Sequence, residues 1–229
     1  LYFYKYGGVD QETGLPLFYA RVTEKKKNDG HFAEYAVGDV VKTTNYSLAD
    51  RFEMGSATPD WIGGFTTSVN YKEFDLMVNL AYQIGGKFLS VEYANGLYRS
   101  DKIGSALSAE LIGNTWTPER TDAYFPMVMY GNTYGDGATI GSWAYTDMAL
   151  FDSSYLNVKN ITLGYSLPKN LLGKLSLSNA RLFATADNVF MFTGHAGFDP
   201  RMSLVGGLEV GAYAFPYMRT ISFGIDLSF

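Results

Sequence analysis

The carboxy-terminal stretch Pro216-Tyr-Met-Arg-Thr-Ile-Ser-Phe-Gly-Ile-Asp-Leu-Ser-Phe229 alternates strictly between apolar and polar residues from Thr220 onward. Successive side chains of a β-strand point to opposite faces of the sheet, so this segment predicts a strand with one apolar and one polar face. A strand that spans a membrane needs about 9–11 residues, apolar toward lipid and polar toward the inside of a barrel. We therefore interpret this segment as the closing strand of an outer-membrane barrel, with a strand of a soluble sheet as the alternative. The apolar face would carry Ile221, Phe223, Ile225, Leu227 and Phe229.

The composition agrees with a membrane barrel and excludes several other classes of protein. Aromatic residues make up 16% of the 229 residues. This share suits the aromatic girdles that barrels carry at both membrane interfaces. No apolar run is as long as the roughly 18 residues of a transmembrane helix. The net charge of −5 argues against nucleic acid as a partner, and the absence of cysteine excludes disulfides, thiolate metal sites and thiol catalysis.

A tight hairpin is predicted in the middle of the chain. Residues 61–71 read as one strand, and residues 74–82 alternate regularly as the next. Only Lys72-Glu73 separates them, which is the length of a two-residue hairpin turn. Each predicted strand is long enough to span a membrane.

Two further strands are predicted between this hairpin and the closing strand, at residues 153–168 and 179–192. Leu156 and Val158 are out of phase with the apolar positions that follow them, so we expect a β-bulge or an inward apolar patch near Lys159. Apolar residues crowd both faces of the strand at 179–192. The sequence therefore does not assign an outward side to that strand.

The connections between the predicted strands alternate in length. The turn at 72–73 is short, 87–152 is long, 168–178 is fairly short, and 193–215 is long. Outer-membrane barrels have short periplasmic turns and long external loops. The fold class predicted is therefore all-β, an antiparallel transmembrane up-and-down β-barrel, with the rest of a larger barrel upstream.

Ordered sequence blocks resemble the carboxy-terminal quarter of SusC/RagA-type TonB-dependent outer-membrane transporters of the Bacteroidota. One departure is Leu156-Asn157, where the family usually has Leu-Arg. The blocks are Gly55-Ser-Ala-Thr-Pro-Asp60, Gly63-Gly64-Phe65, Tyr71-Lys-Glu-Phe-Asp-Leu76, Asn114-Thr-Trp-Thr-Pro-Glu119, Ala123-Tyr-Phe-Pro126, Ser153-Ser-Tyr-Leu-Asn-Val-Lys-Asn-Ile-Thr-Leu-Gly-Tyr-Ser-Leu-Pro168, Ala180-Arg-Leu-Phe183, Asp187-Asn-Val-Phe190, Thr193, Gly197-Phe-Asp-Pro200 and Tyr217-Met-Arg-Thr220.

The resemblance implies a barrel of 22 strands in the outer membrane of a Gram-negative bacterium, closed by an amino-terminal plug and energised by TonB. It also implies a SusD-like surface lipoprotein as a lid, and oligosaccharides or sometimes peptides as imported nutrients. Residues 1–229 would be the carboxy-terminal part of the barrel, without plug and TonB box. Because Leu1-Tyr-Phe-Tyr-Lys-Tyr6 already reads as strand, with no signal peptide before it, we expect a fragment associated with the remaining amino-terminal part of the transporter.

Two groups of residues are candidate contacts. Arg181 and Asp187 share one face of a predicted strand, so they would contact the plug if that face is the lumen; an ion-pair ladder is the alternative. Aromatic rings can stack on the apolar faces of sugars while keeping a polar handle. We therefore expect the loop aromatics to touch substrate or lid, or alternatively to pack the loops together. These aromatics are Trp116, Tyr124, Tyr130, Tyr134, Trp143 and Tyr145.

The sequence holds little else that suggests chemistry. Asp136, Asp147 and Asp152 lie near turn glycines and could bind calcium in the external loops, although no EF-hand spacing is present. No other cofactor is expected. A barrel enzyme such as a lipase would need a serine beside His195, and the sequence has no nucleophile elbow. A passive porin or adhesin is the alternative that the loop lengths permit. We expect a transporter component rather than an enzyme.

Overall fold

The computed structural model describes residues 1–98, 104–129, 141–173, 177–195, 199–201 and 217–229. The helices in these ranges are α1 (Glu24–Asn28), α2 (Val91–Tyr98) and α3 (Lys169–Leu172). None of the helices in the described ranges combines the length and the apolar character that crossing a membrane requires. The strands are β1 (Tyr2–Tyr4), β2 (Tyr6–Val9), β3 (Pro16–Arg21), β4 (Val40–Thr43), β5 (Arg51–Glu53), β6 (Trp61–Tyr71), β7 (Phe74–Ile84), β8 (Lys87–Leu89), β9 (Leu150–Asp152), β10 (Tyr155–Ser166), β11 (Asn179–Thr193) and β12 (Thr220–Ser228).

The chain divides into two compact units. The described part of the first, which we call the loop unit, consists of residues 1–57, 88–98, 104–129 and 141–151. The second, the sheet unit, consists of residues 58–87, 152–173, 177–195, 199–201 and 217–229.

The sheet unit is built on five long antiparallel strands in the order β12-β11-β10-β7-β6. The predicted hairpin is confirmed, because β6 and β7 pair along their whole length around the two-residue turn at Lys72-Glu73. Lys72 has a φ of 53°, the left-handed conformation that tight hairpin turns use. The up-and-down strand order predicted from the loop lengths is also confirmed.

The register of the sheet aligns the apolar positions of all five strands on one side, which we call the apolar face. One row across the sheet joins Val69, Leu76, Leu163, Ala184 and Phe223 as successive cross-strand partners. No other part of the described chain covers this face, since Val69 is 58% exposed and Phe223 is 82% exposed. A face of this size is not left in water by a soluble domain.

Aromatic side chains concentrate toward the two ends of the apolar face. The end with the hairpin turn carries Tyr71, Phe74 and Tyr165, and the rings of the last two lie 4.8 Å apart. The opposite end carries Phe190 and Phe192 of β11. Between these ends, the cross-strand row described above carries only one aromatic ring, that of Phe223, which agrees with a barrel wall that has an aromatic girdle at each membrane interface.

The β-bulge predicted near Lys159 is present. The register of β10 shifts between Val158 and Asn160 relative to both neighbouring strands. On β11 the irregularity falls at Asn188, whose φ of 51° is a left-handed conformation that asparagine tolerates better than most residues. Because the bulge adds one residue to β10, the side chain of Val158 again lies on the apolar face, opposite Leu80 of β7 and Phe190 of β11. Even-numbered residues of β11 face the apolar side on both sides of the irregularity, whereas Phe183 lies on the opposite face, over Gly224.

The loop unit has its own small sheets and its own core. The three-stranded sheet β2-β3-β4 and the pair β1-β5 are antiparallel. Within β3 the side chains alternate, with Phe18 and Ala20 buried and Arg21 exposed. The main core gathers Phe18, Leu97 of α2, Phe125 and Trp143. Residues 105–112 hold only a 3-10 turn, at Ala109–Leu111, while helix α2 lies earlier in the chain.

Candidate functional site

The side of the five-stranded sheet opposite the apolar face, which we call the polar face, carries a charged rung centred on Arg181 of β11. Arg181 donates through Nε to Oδ1 of Asp75 at 2.9 Å and through Nη2 to Oδ2 of the same carboxylate at 2.6 Å. Its Nη1 reaches Oδ2 of Asp226 on β12 at 3.4 Å. A paired fork of this kind is the strongest geometry for an arginine–carboxylate contact.

This rung crosses four strands because the strand between its partners offers no side chain. Gly164 of β10 lies between Asp75 of β7 and Arg181 of β11, and it pairs with Asp75 and Phe183 in the ladder. A Cβ at Gly164 would collide with the carboxylate of Asp75 and the guanidinium of Arg181. The guanidinium can therefore lie flat over the backbone of β10. The ring of Phe183 likewise lies over the backbone of β12 at Gly224, where a Cβ would collide with the ring.

A second rung of amides and hydroxyls lies on the polar face closer to the bulge. Asn160 of β10 donates through Nδ2 to Asp187 Oδ1 and to Thr185 Oγ1, both at 2.8 Å. On the other side of Asn160, Thr66 Oγ1 donates to Asn79 Oδ1 at 2.8 Å. The rung thus places hydrogen-bonding groups on β6, β7, β10 and β11. Together the two rungs give a polar surface with three carboxylates and one guanidinium.

Arg181 and Asp187 both lie on this polar face, but the structure does not bring them together. Arg181 pairs with Asp75 and Asp226, and Asp187 pairs with Asn160. Contact of either residue with a plug stays a prediction. The carboxylates that hold Arg181, those of Asp75 and Asp226, were not predicted from the sequence. Their signal was available, since Asp75 and Asp226 occupy polar positions of alternating strands.

A buried ion pair lies at the end of the sheet where β11 and β12 meet their loops. Arg201 donates through Nε to Asp199 Oδ1 at 2.8 Å and through Nη1 to Asn188 Oδ1 at 3.1 Å. The Asp199 and Arg201 side chains are only 8% and 12% exposed. Hydrogen bonding to Asp199 raises the pKa of the Arg201 guanidinium. The Asp199-Pro200-Arg201 turn therefore ties its loop to the residue that forms the β11 irregularity.

The candidate aromatic residues of the loop unit differ in how far they are exposed, and two of them are packed inside it. Trp116 donates its indole N–H to the carbonyl of Gln11 at 3.0 Å, and its ring packs on Gly14, where a Cβ would lie 2.5 Å from the ring. Trp143 is 3% exposed and belongs to the core. Both side chains thus hold the loops together, as the packing alternative described.

Tyr124 is the described loop aromatic with the most open ring. Its side chain is 60% exposed, and its ring meets Tyr6 and Phe125 edge-on, with centroids 6.1 and 5.0 Å away. Tyr145 is half-buried and donates its hydroxyl to Asn95 Oδ1 at 3.0 Å. Tyr130 and Tyr134 lie outside the described residues. Contact of these aromatics with substrate or lid remains a prediction.

Three titratable groups of the loop unit have raised pKa values because they are partly buried. Burial and the neighbouring Tyr4 raise the pKa of Tyr46 to about 12. Burial and a hydrogen bond to Glu110 raise the pKa of Tyr93. Burial alone raises the pKa of Glu92. Tyr46 and Tyr93 pack against the main core of the loop unit, which accounts for their burial.

The predicted calcium ligands are not gathered in the described residues. Asp147 accepts a hydrogen bond from the backbone N–H of Tyr6 at 2.8 Å. Asp152 accepts one from the N–H of Ser154 at 2.7 Å. Asp136 lies outside the described residues. The described ranges contain no group of three or more histidine, aspartate or glutamate side chains that could hold a metal ion.

Antiparallel strands that are apolar on one face and polar on the other are typical of the wall of an outer-membrane β-barrel. No family model matches the chain. Curated relatives do: TonB-dependent receptor P3 of Formosa agariphila is 28% identical over 241 residues, a match that covers 100% of this chain and 22% of the receptor. TonB-dependent receptor SusC of Bacteroides thetaiotaomicron is 25% identical over 185 residues, covering 78% of this chain and 16% of SusC.

Solved structures show the same fold. The RagAB peptide transporter matches with a TM-score of 0.74 at 24% identity, covering 100% of this chain and 23% of that one. The RagAB peptide importer in its open-open state matches with a TM-score of 0.71 at 24% identity, covering 100% and 22%. The resemblance to SusC/RagA-type TonB-dependent transporters is thereby confirmed. These relatives are receptors and transporters rather than enzymes, and the chain spans less than a quarter of their length.

Proposed function

We propose that the chain forms part of the barrel wall of a TonB-dependent nutrient importer in the outer membrane of a Gram-negative bacterium. The observation that carries this proposal is the uncovered apolar face of the five-stranded sheet, backed by two rungs of polar side chains. A wall between lipid and a plugged, wet lumen needs this division. Residues 1–229 would be the carboxy-terminal part of the barrel, with plug and TonB box in the remaining amino-terminal part.

The two outer strands of the sheet support a wall that continues beyond this chain. In the described residues β6 pairs only with β7, and β12 pairs only with β11. Backbone groups in hydrocarbon must all be hydrogen-bonded, so both edges need further strands in a membrane. Five strands are also fewer than the smallest closed barrels contain. We infer that the partner at both edges is the rest of a barrel of about 22 strands.

The partners and cargo of the assembly follow from the relatives as further parts of the proposal. A SusD-like surface lipoprotein would close the external end of the barrel, and TonB would act through the plug. The cargo would be an oligosaccharide or a peptide, and RagAB is described as a peptide importer. Arg181 and Asp187 would face the plug, while Tyr124 would contact lid or cargo. Calcium in the external loops is a weaker part of the proposal.

The experiment that tests this function is purification of the chain with an affinity tag from detergent-solubilised outer membranes. We expect it to travel with a plug-bearing polypeptide, or as part of one, together with a surface lipoprotein. Uptake of the co-purifying cargo by cells should require TonB. A chain that is monomeric and soluble without detergent would contradict the proposal. Uptake that is unchanged without TonB would favour a passive porin.

A further inference from the structure

A cation lies over an aromatic ring at each end of the apolar face. At the end with the hairpin turn, the ammonium of Lys72 lies 5.4 Å from the centroid of the Tyr71 ring. At the opposite end, the guanidinium of Arg219 lies 5.2 Å from the centroid of the Phe190 ring. Both rings belong to the aromatic rims described above.

Arg219 has hydrogen-bonding capacity that the described protein does not use. Its Nη2 donates to the carbonyl of Val189 at 2.6 Å, which fixes the guanidinium at the rim. The ion pairs of the described residues do not include Arg219, and the nearby Asp199 is already engaged by Arg201. Arginine carries five N–H donors in a planar fork, and among the described residues only Val189 accepts from one of them.

The neighbours of Arg219 place it at the border of the apolar face. Phe190, Phe192 and Ile221 are 54%, 61% and 62% exposed, and all three lie on that face. If these side chains meet hydrocarbon, the adjacent guanidinium lies at the level of the lipid headgroups, where long cationic side chains accumulate.

This end of the sheet is the external one if the chain is a barrel wall. The two-residue turn at Lys72-Glu73 closes the other end, whereas β7 and β10 are joined here through residues 85–154. Short turns are periplasmic and long loops external in outer-membrane barrels. The lipid layer beside Arg219 would therefore be the outer leaflet.

We propose that Arg219 binds the phosphate of an outer-leaflet lipid, with Phe190 and Ile221 in contact with its acyl chains. A guanidinium matches phosphate through paired N–H donors and remains charged at every physiological pH. The ring of Phe190 and the carbonyl of Val189 hold the fork in place before the lipid arrives. This site rests on the proposed function, because it requires the apolar face to lie in a membrane.

The test uses the full receptor that contains this chain, purified in detergent and incubated with lipid A, whose phosphates supply the proposed ligand. Retention of lipid A is measured by native mass spectrometry for the wild type, Arg219→Gln, Arg219→Lys and Lys72→Gln. We expect Arg219→Gln to reduce retention roughly five-fold, the effect of one cation near a charged lipid surface. Arg219→Lys should retain part of the binding. Lys72→Gln makes the same change of charge at the other rim and should have little effect.

Two further measurements distinguish a lipid phosphate from free phosphate as the ligand, and distinguish failure of the lipid site from failure of the importer assignment. Dephosphorylated lipid A should bind the wild type as weakly as lipid A binds Arg219→Gln, and excess inorganic phosphate should not displace lipid A. Equal losses in Arg219→Gln and Lys72→Gln, no loss in Arg219→Gln, or displacement by free phosphate would each overturn the lipid site. TonB-dependent uptake is measured for the same variants. Normal uptake with unaltered lipid retention in Arg219→Gln rejects the site and leaves the importer assignment intact.

Discussion

At the scale of single residues, Arg181 connects strands that are distant in sequence. It holds Asp75 on one side and Asp226 on the other, and the Arg181 and Asp75 side chains are 27% and 30% exposed. We expect Arg181→Gln to lower the free energy of unfolding by about 1–2 kcal/mol, because two carboxylates lose their cation on a partly wet surface. Urea unfolding of the full receptor in detergent, followed by tryptophan fluorescence, measures this.

A double variant tests whether the loss comes from the ion pair itself. Adding Asp75→Asn to Arg181→Gln should cost less than the sum of the two single changes, because the partners are coupled. Asp187→Asn alters the other rung and should act additively with Arg181→Gln. Full additivity of Asp75→Asn with Arg181→Gln would show that the rung contributes no coupling.

Gly164 is a second residue whose role is defined by close contact. Any side chain there would meet the carboxylate of Asp75 and the guanidinium of Arg181, so Gly164→Ala should displace the rung and cost about 1–3 kcal/mol. Gly194→Ala is the matched control, since a Cβ at Gly194 meets nothing within 4 Å. The unfolding midpoints of the two variants should differ. Equal midpoints would mean that the rung adapts freely.

Single-residue roles were the part of the site that the sequence predicted least well. The alternation of β12 placed Asp226 on a polar position, yet the sequence assigned no outward side to β11 and did not pair Asp226 with Arg181. Pairing depends on strand order and register, which bring Asp75 of β7 to Arg181 across the gap at Gly164. No local pattern carries that information. The same limit explains why Trp143 was a candidate contact although it is buried in the core.

At the scale of elements, the bulge at Lys159 keeps the apolar face of β10 continuous. Lys159 is the extra residue of the bulge, so its deletion would leave Val158 opposite Leu80 and keep both faces of β10 as they are. Deleting Leu163 instead would bring Asn160 and Thr162 to the apolar side, because a shift of one residue exchanges the two faces of a strand. We expect the deletion of Leu163, and not that of Lys159, to reduce the amount of receptor that reaches the heat-modifiable, folded form in outer membranes. The measurement is gel mobility with and without boiling.

A control for the deletion of Leu163 removes one residue where no strand register depends on it. Deleting Ser105, which lies in the loop unit outside any helix or strand, should leave the folded fraction near that of the wild type. A receptor lacking Leu163 that folds as well as those lacking Ser105 or Lys159 would show that the phase of β10 is not required.

The long strands were predictable because their alternation is local, and the bulge was predictable because it interrupts that alternation. The elements of the loop unit were not predictable in the same way. Helix α2 is only eight residues long, and its buried side chains, Val91, Ala94 and Leu97, are stabilised by a core drawn from distant segments. Short helices depend on such tertiary packing more than on their own propensity.

At the scale of the whole molecule, the assignment depends on which face of the sheet meets lipid. The order of short and long connections predicted the up-and-down arrangement, and the structure confirms it. The relatives extend the interpretation from a sheet to part of a TonB-dependent transporter. Substrate and partners were beyond the sequence, because these 229 residues correspond to less than a quarter of the length of the relatives.

The most direct measurement compares Phe223→Arg with Ser222→Arg in the full receptor folded into lipid vesicles. Phe223 lies on the apolar face between its two aromatic ends and is 82% exposed, whereas Ser222 lies on the polar face opposite Thr185. An arginine in mid-membrane on the lipid side of a barrel costs about 2–4 kcal/mol, so Phe223→Arg should lower the free energy of unfolding by that amount and Ser222→Arg far less. Equal effects, or a larger loss for Ser222→Arg, would contradict a lipid-facing apolar surface.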